Sequence, residues 1–264
     1  MSDYPPTDLP MPIDGPKVVP AATVVVFRNP RAGTAPELLM VQRATEMRFA
    51  GGATVFPGGG VDPADRLLAA TLLPDQPPER AAAKIAGIRE TLEETGLMIG
   101  TRSTVSAEEA AAARRMLLEV GTLGPVLDHF GWQLDPERLT LYAHWCPLWD
   151  RAFDTRFFVY DLGTGAVDIA VDATENTHLF WASAAQVLEM AEAGKISIIF
   201  PTRRNLERLA QFGTYAEVLA DIARYPVARI HSHIVDRDGE DWLVIPEGFG
   251  YPVVGQPKAT ALRG

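Results

Sequence analysis

The chain has 264 residues, 47% hydrophobic and 22% charged, which predicts a globular protein with an apolar core and excludes a disordered chain. The formal net charge of −10 argues against duplex nucleic acid as a partner, because phosphate backbones are bound mainly by basic surfaces. No stretch approaches the roughly 20 apolar residues of a membrane helix, so no membrane partner is predicted.

The N-terminal residues and the single cysteine predict where the protein works. Residues 1–17 contain five prolines and no apolar run, so we expect a flexible tail and no signal peptide. Cys146 is the only cysteine, which excludes an intramolecular disulfide and favours a reducing compartment. We therefore expect a cytoplasmic protein whose folded part spans residues 18–264.

The first part of this region predicts three strands and a glycine loop. β-Branched and apolar runs predict strands at 18–27, 37–43 and 54–56. Three consecutive glycines, 58–60, favour neither helix nor strand and predict a loop. Three prolines within residues 66–78 predict a loop or short separate turns, with a helix beginning near Pro78 or Glu79.

The remainder alternates predicted helices and strands. Helical periodicity and capping residues predict helices at 79–95, 107–119, 183–193, 202–211 and 215–224. Strands are predicted at 140–145 and 155–160, with a hairpin around Asp238-Gly239. His231 and His233 would share one face of a strand, but without a third ligand we favour a structural role.

The helix at 79–95 places its glutamates on one face. With about 100° per residue, Glu93 and Glu94 lie at about −60° and +40° from Glu90. Ile85, Ile88 and Leu92 fall on the opposite face. Like charges at this spacing destabilise a helix by roughly 0.2–0.5 kcal/mol per pair, and a multivalent cation would reverse that sign. A solvated acidic face is the alternative, and the upstream glycines and Arg89 favour the cation.

With those glycines, the segment resembles the Nudix box, Gly-x5-Glu-x7-Arg-Glu-U-x-Glu-Glu-x-Gly-U, where U is aliphatic. Thr91 departs from the first U position, and Asp65 stands six residues after Gly59 in place of glutamate. Between Asp65 and Arg89 lie 23 residues instead of 7, so 16 are inserted. The matching positions are Arg89, Glu90, Glu93, Glu94, Gly96 and Leu97.

The resemblance implies an α/β (α+β) fold, a mixed sheet sandwiched between helices, here with extra helical insertions at about 66–78 and 102–136. It implies one such domain over 18–264, with Mg²⁺ or Mn²⁺ bound by the box glutamates. Arg89 would hold the carboxylates in place, and Glu90 would serve as ligand or base. Gly58 would approach the metal, and Gly59 and Gly60 the substrate.

Further segments are similar to the coenzyme A diphosphatase subgroup of the superfamily, whose boxes are split at the same place. Its signature is matched at Arg43, Arg48, Gly52 and Phe56-Pro57-Gly58-Gly59, although Met40 and Val41 depart from it. Because Arg43 and Arg48 stand just before the glycine loop, we expect them to bind extra phosphates of a polyanionic substrate, with surface arginines on a hairpin as the alternative. Arg156 would also bind substrate, and Glu175 would supply a late metal ligand; a surface arginine and a loop glutamate are the alternatives.

The predicted function is therefore metal-dependent hydrolysis of a diphosphate, with coenzyme A or an acyl derivative cleaved to 3′,5′-ADP and the 4′-phosphopantetheine product. Hydrolysis of NADH, ADP-ribose or another nucleoside diphosphate derivative is the first alternative. A Nudix-fold sensor without turnover is the second, and retention of Glu90, Glu93 and Glu94 argues against it. The expected partner is a small-molecule diphosphate, and a homodimer is left open.

Overall fold

The computed structural model of the chain describes residues 17–29, 34–44, 50–147, 152–163 and 176–261. Two predicted site residues, Arg48 and Glu175, lie outside these ranges. The described strands are β1 Val19–Arg28, β2 Glu37–Arg43, β3 Thr54–Val55, β4 Gly58–Gly60, β5 Thr140–Trp145, β6 Phe153–Asp161, β7 Asn176–Ala182, β8 Arg229–Ile230, β9 His233–Arg237, β10 Glu240–Val244 and β11 Gly255–Pro257.

Eight of these strands form one mixed sheet. Its order is β3-β2-β1-β6-β5-β8, with β4 paired to β1 and β7 paired to β2. The β1–β6 and β5–β8 pairs are parallel, and the other pairs are antiparallel. Strands β9, β10 and β11 form a separate antiparallel sheet that includes the predicted hairpin at Asp238-Gly239.

Helices cover both faces of the large sheet. One apolar cluster joins β1 and β6 to helices α1–α4, and a second joins the other face to α5–α8. This arrangement confirms the predicted α+β class. The helices are α1 Pro63–Leu72, α2 Pro78–Thr95, α3 Ala107–Val120, α4 Leu123–Phe130, α5 Ala184–Glu192, α6 Phe200–Leu209, α7 Tyr215–Arg224 and α8 Lys258–Ala261.

Two local predictions were wrong. The glycines 58–60 form strand β4, because the neighbouring β1 backbone accepts them in antiparallel register from Thr23↔Gly58 to Ala21↔Gly60. Residues 66–72 belong to helix α1, because Pro63 stands in its first turn and the Asp62 backbone N–H donates to Asp65 (2.9 Å). The prolines on which the loop prediction rested all follow the end of α1.

Helix α2 begins at Pro78 as predicted and lies tightly against β1. A Cβ at Gly87 would come within 2.8 Å of the Val24 side chain, so glycine allows this close approach. Thr91, which departs from the family pattern, is buried and donates its hydroxyl to the Gly87 carbonyl (2.7 Å). Helix α4 was not predicted separately. Among the described helices, none combines the length and apolar character that a bilayer crossing requires.

Candidate active site

Arg89 is the centre of the carboxylate array on α2. Its side chain is 4% exposed, and its guanidinium contacts Asp65 on α1 through two nitrogens at 3.0 Å. Another nitrogen donates to Glu90 and to Glu93, both at 2.9 Å. The same guanidinium donates to the Gly60 carbonyl on β4 (2.8 Å), so it joins both halves of the predicted box.

The 16 residues that would separate the two halves of the predicted box therefore leave both segments in contact through Arg89. Helix α1 packs against α2 and delivers Asp65, 2% exposed, to the Arg89 guanidinium. Residues 73–77 connect the two helices outside the array. Asp65 thus occupies the place of the pattern's glutamate and partners the box arginine.

The array holds more negative than positive charge. Besides Asp65, Glu90 and Glu93, the half-exposed Asp62 lies 3.5 Å from the Arg89 guanidinium. Burial lowers the pKa of Arg89, but the hydrogen bond to Asp65 and the surrounding carboxylates outweigh it and raise that pKa. One guanidinium thus faces four carboxylates, and Glu94 follows directly on the same helix.

Burial also shifts the glutamates themselves. It raises the pKa of Glu90 to about 7; the Arg89 charge opposes this shift and the Glu93 charge adds to it. Burial likewise raises the pKa of Glu93, again opposed by Arg89. Both carboxylates therefore stand where a further positive charge would stabilise their ionised forms.

Glu94 and the glycine strand complete the array. The Gly58 backbone N–H donates to the Glu94 carboxylate (2.9 Å), which ties β4 to the C-terminal turn of α2. Arg114 on α3 donates to the backbone carbonyls of Glu93 (2.7 Å) and Glu94 (3.1 Å) and so fixes the end of the helix. Backbone and side chains together hold this turn against the sheet.

The array borders a pocket of about 550 Å³, a size typical of small-molecule sites. Glu90, Glu94 and the strand Gly58–Gly60 lie on its border, together with Arg43 from β2. The remaining lining is largely apolar and aromatic, and includes Phe56, Trp145, Phe153, Phe157, Phe200 and Leu243.

The donor set fits a divalent cation in chemistry and in charge. Carboxylate and backbone carbonyl oxygens are ligands that Mg²⁺ and Mn²⁺ prefer, and a bound cation would neutralise the surplus negative charge of the array. Among the residues that the structure describes, however, no three His, Cys, Asp or Glu side chains converge on one metal position. Glu90 and Glu93 each direct one oxygen to Arg89 instead, which leaves their second oxygens for a ligand.

The other predicted substrate arginines have different positions. Arg43 lines the pocket, and its buried Nε has no hydrogen-bond partner among the described residues. Arg156, 1% exposed, is not among the described pocket-lining residues; its neighbours on β6, Thr155 and Phe157, are. The strand alternation places Arg156 on the opposite face of the sheet.

On that opposite face Arg156 belongs to a buried polar cluster. Asp154 accepts a hydrogen bond from His144 Nε2 (2.5 Å) and lies 3.5 Å from Arg156 and 3.8 Å from Arg229. Burial opposes ionisation of Asp154, but His144 and the two arginines hold its pKa at about 2. Burial lowers the pKa of His144, with Asp154 opposing. The cluster couples β5, β6 and β8.

Sequence reasoning missed most of the pocket wall. Trp145 and Leu243 belong to predicted strands, and Phe200 begins a helix that was predicted only from residue 202, but nothing local shows which of their side chains face a cavity. On β6 the alternation of side chains predicted two faces, but it did not show which face borders the pocket. The histidines 231 and 233 do not form a pair on one strand, because β9 begins at His233 and His231 Nδ1 lies 2.5 Å from the Cys146 carbonyl.

The contact between Gly59 and Glu90 makes a testable prediction. A Cβ at Gly59 would lie 2.3 Å from Oε1 of Glu90, the oxygen that accepts a hydrogen bond from Arg89. Gly59→Ala is therefore expected to displace this carboxylate and lower kcat/KM for a diphosphate substrate by about tenfold or more. The control is Gly124→Ala on α4, whose Cβ would meet nothing within 4 Å and which is not among the described pocket residues. Equal kinetics for the two variants would contradict the close approach.

Comparisons with known proteins show which solved structures the fold is similar to. The chain is 26% identical to a Nudix hydrolase from Alicyclobacillus acidocaldarius, with a TM-score of 0.65 over 78% of this chain and 96% of that one. Weaker likenesses include RenU, a Nudix hydrolase from M. smegmatis, at 17% identity over 77% and 87% of the two chains, TM-score 0.42. A MutT protein from Methanosarcina mazei has 15% identity over 76% and 97%, TM-score 0.41. No family model and no curated protein matches the chain significantly.

The fold defines the class to which this chain is compared. Its mixed sheet between two layers of helices matches the fold of the solved Nudix hydrolase. The likeness to the Alicyclobacillus enzyme supports the Nudix superfamily for this chain.

Proposed function

We propose that this chain is a metal-dependent hydrolase that cleaves the diphosphate bond of a nucleotide-linked substrate. The observation that carries the proposal is the Arg89-centred carboxylate array, set against a glycine strand at the border of a pocket. The likeness to a solved Nudix hydrolase supports the same class of reaction.

Glu90 and Glu94 border the pocket and would hold Mg²⁺ or Mn²⁺, with Glu93 and the Gly58 backbone beside them. When bound, the cation would polarise the diphosphate and lower the pKa of the attacking water. Glu175, outside the described residues, is still predicted as a further ligand.

The remaining side chains have distinct tasks in this proposal. Arg89 keeps the carboxylates in register, and Gly59 leaves room for the Glu90 carboxylate beside the β4 backbone. Glu90 would serve either as a ligand of the cation or as the base that accepts the proton of the attacking water, because its carboxylate lies at the pocket border. The aromatic side chains that line the pocket would exclude bulk water from the reacting phosphates.

Coenzyme A or an acyl-coenzyme A is the proposed substrate, with 3′,5′-ADP and (acyl-)4′-phosphopantetheine as products. Its 3′-phosphate adds nearly two negative charges at neutral pH, and an acidic protein needs local arginine to accept them. Arg43 supplies a guanidinium at the pocket whose Nε is not engaged by the described residues. Arg48 is predicted to act beside it.

A comparison of kcat/KM for coenzyme A, dephospho-coenzyme A, NADH and ADP-ribose tests the proposal. Arg43→Ala is expected to lower kcat/KM for coenzyme A about tenfold to hundredfold more than kcat/KM for dephospho-coenzyme A. The reason is that a charge-assisted hydrogen bond contributes roughly 1.5–3 kcal/mol. Arg48→Ala is measured in parallel. Arg28→Ala serves as control, because Arg28 pairs with Glu37 (2.7 Å) and is not among the described pocket residues.

Three outcomes would count against parts of this proposal. If kcat/KM for NADH or ADP-ribose exceeds that for coenzyme A by tenfold, the coenzyme A assignment is wrong, but the proposed diphosphatase activity is retained. If neither Arg43→Ala nor Arg48→Ala discriminates the two coenzyme A forms, these arginines do not bind the 3′-phosphate. Binding of a panel member without any turnover would identify a sensor instead.

A further inference from the structure

The segment after α7 forms one side of the pocket. Three of its residues line the cavity: Ser232 follows β8, Leu243 lies on β10, and Ala261 ends α8. Leu243 and Ala261 also belong to the apolar cluster that contains Trp145 and Phe200. This C-terminal wall is therefore packed onto the same face of the large sheet as the cavity.

A buried hydrogen-bond chain fixes this segment to the sheet. The Trp145 indole N–H donates to the Tyr251 hydroxyl (3.0 Å), which donates in turn to the Asn205 side chain (2.9 Å). The Arg208 guanidinium lies over the Tyr251 ring at 5.2 Å and pairs with Asp221 at 2.7 Å. The orientation of the Trp145 indole is thus set by a residue 106 positions further along the chain.

Trp145 connects this anchor to the cavity. Its ring packs edge-on against Tyr251 (5.6 Å between centroids) and against Phe200 (6.0 Å), and both Trp145 and Phe200 line the pocket. Because the indole is fixed at its N–H and along two edges, it forms a rigid boundary to the cavity. Loss of the Tyr251 hydroxyl would remove the hydrogen bond that fixes the orientation of the Trp145 indole.

The chemistry of the wall differs from that of the carboxylate border. Among the described residues that line the pocket, the charged ones are Arg43, Glu90 and Glu94, which come from β2 and α2. The C-terminal wall contributes one hydroxyl, Ser232, and otherwise apolar surface. The polar edge of a purine would find few hydrogen-bond partners at this wall. An aliphatic chain needs none, and its removal from water is favourable.

We propose that Trp145, Leu243 and Ala261 receive the apolar arm of the substrate and limit its length, with Tyr251 as the positioning residue for Trp145. The inference rests on the proposed function and deepens it: the arm is the acyl chain of a coenzyme A thioester. The C-terminal segment is then the specificity element of the enzyme, separate from the carboxylate array.

A filling substitution in α8 tests the wall. Ala261→Leu would narrow the cavity, and Ala259→Leu makes the same change at an exposed position of the same helix. The measurement is kcat/KM for coenzyme A and for its acetyl, octanoyl and palmitoyl thioesters. Ala261→Leu is expected to lower kcat/KM for octanoyl-coenzyme A at least about tenfold more than kcat/KM for coenzyme A. Ala259→Leu should match the wild type throughout.

A second pair of variants tests the positioning role. Tyr251→Phe keeps the ring but removes the acceptor for the Trp145 indole N–H. It is expected to raise KM for octanoyl-coenzyme A about fivefold or more with little change in kcat, while the kinetics of coenzyme A stay the same. Tyr142→Phe is the matched control, because its hydroxyl lies near the same Asn205 (3.5 Å) and its ring under the same Arg208 (4.7 Å).

The outcomes separate the two proposals. If wild-type protein hydrolyses none of the coenzyme A compounds, the proposed substrate and the wall both fail. If it hydrolyses them and Ala261→Leu affects all of them equally, or none, the wall proposal alone is overturned. An equal effect is the result expected of a nucleotide base, rather than an acyl chain, against this wall. Equal behaviour of Tyr251→Phe and Tyr142→Phe would overturn the positioning role.

Discussion

Replacing Glu94 by glutamine is expected to lower kcat on the order of 10²-fold or more. Glu94 borders the pocket and accepts the Gly58 N–H, so the substitution keeps the shape while removing a charge that a cation would need. A hundredfold loss corresponds to about 2.7 kcal/mol of transition-state stabilisation. The measurement is steady-state turnover with saturating Mg²⁺ on the best diphosphate of the panel.

The matched control for this variant is Glu79→Gln in the first turn of the same helix. Glu79 pairs with the partly exposed Arg66 (2.5 Å) and is not among the described pocket residues, so its loss should leave turnover unchanged. Without metal, Glu94→Gln should be as stable as wild type or slightly more so, since it relieves an i,i+4 repulsion with Glu90 of roughly 0.2–0.5 kcal/mol. Full turnover by Glu94→Gln would contradict the assigned role.

Replacing Arg89 by methionine is expected to destabilise the fold by about 3–5 kcal/mol, as removal of one partner from a buried ion pair does. The value rests on Asp65, only 2% exposed, whose carboxylate would lose its guanidinium partner. Glu90 and Glu93 are partly exposed and add less because solvent screens them. Urea denaturation compares the free energies of unfolding of the two proteins.

Two further variants make the Arg89 result specific. Arg115→Met on the exposed surface of α3 should change stability by no more than about 0.5 kcal/mol. Arg89→Met combined with Asp65→Asn should recover part of the loss, because no buried carboxylate is then left unpaired. A loss below about 1 kcal/mol for Arg89→Met alone would show that the array does not hold α1, α2 and β4 together.

The carboxylate helix was predictable because its signal is local. The spacing of Glu90, Glu93 and Glu94 defines a helix face, and the helix spans Pro78–Thr95 with Gly96 in a left-handed conformation at its C-terminus. Helix α1 was missed although its signal is also local: Pro63 and the Asp62–Asp65 cap precede all the prolines that suggested a loop. Prolines 74, 77 and 78 prevent a helix from continuing through them, but they do not prevent one from forming before them.

Other features depend on tertiary contacts that one sequence does not display. The glycines 58–60 become a strand only because β1 offers a partner backbone. The placement of Arg156 depends on the pairing of β6 with β5, which brings it beside Asp154 and His144 in the buried polar cluster. The hydrogen bond from Trp145 to Tyr251, which fixes the C-terminal segment to the sheet, links residues 106 positions apart, and no local sequence pattern predicts it.

Product analysis with metal-stripped protein tests the central claim most directly. The chain is treated with EDTA, exchanged into metal-free buffer, and incubated with the diphosphate panel before and after addition of Mg²⁺ or Mn²⁺. We expect no cleavage before addition, and afterwards cleavage at the diphosphate, seen for coenzyme A as 3′,5′-ADP and 4′-phosphopantetheine. Cleavage by the stripped protein at the same rate, or products from any bond other than the diphosphate, would contradict the proposed function.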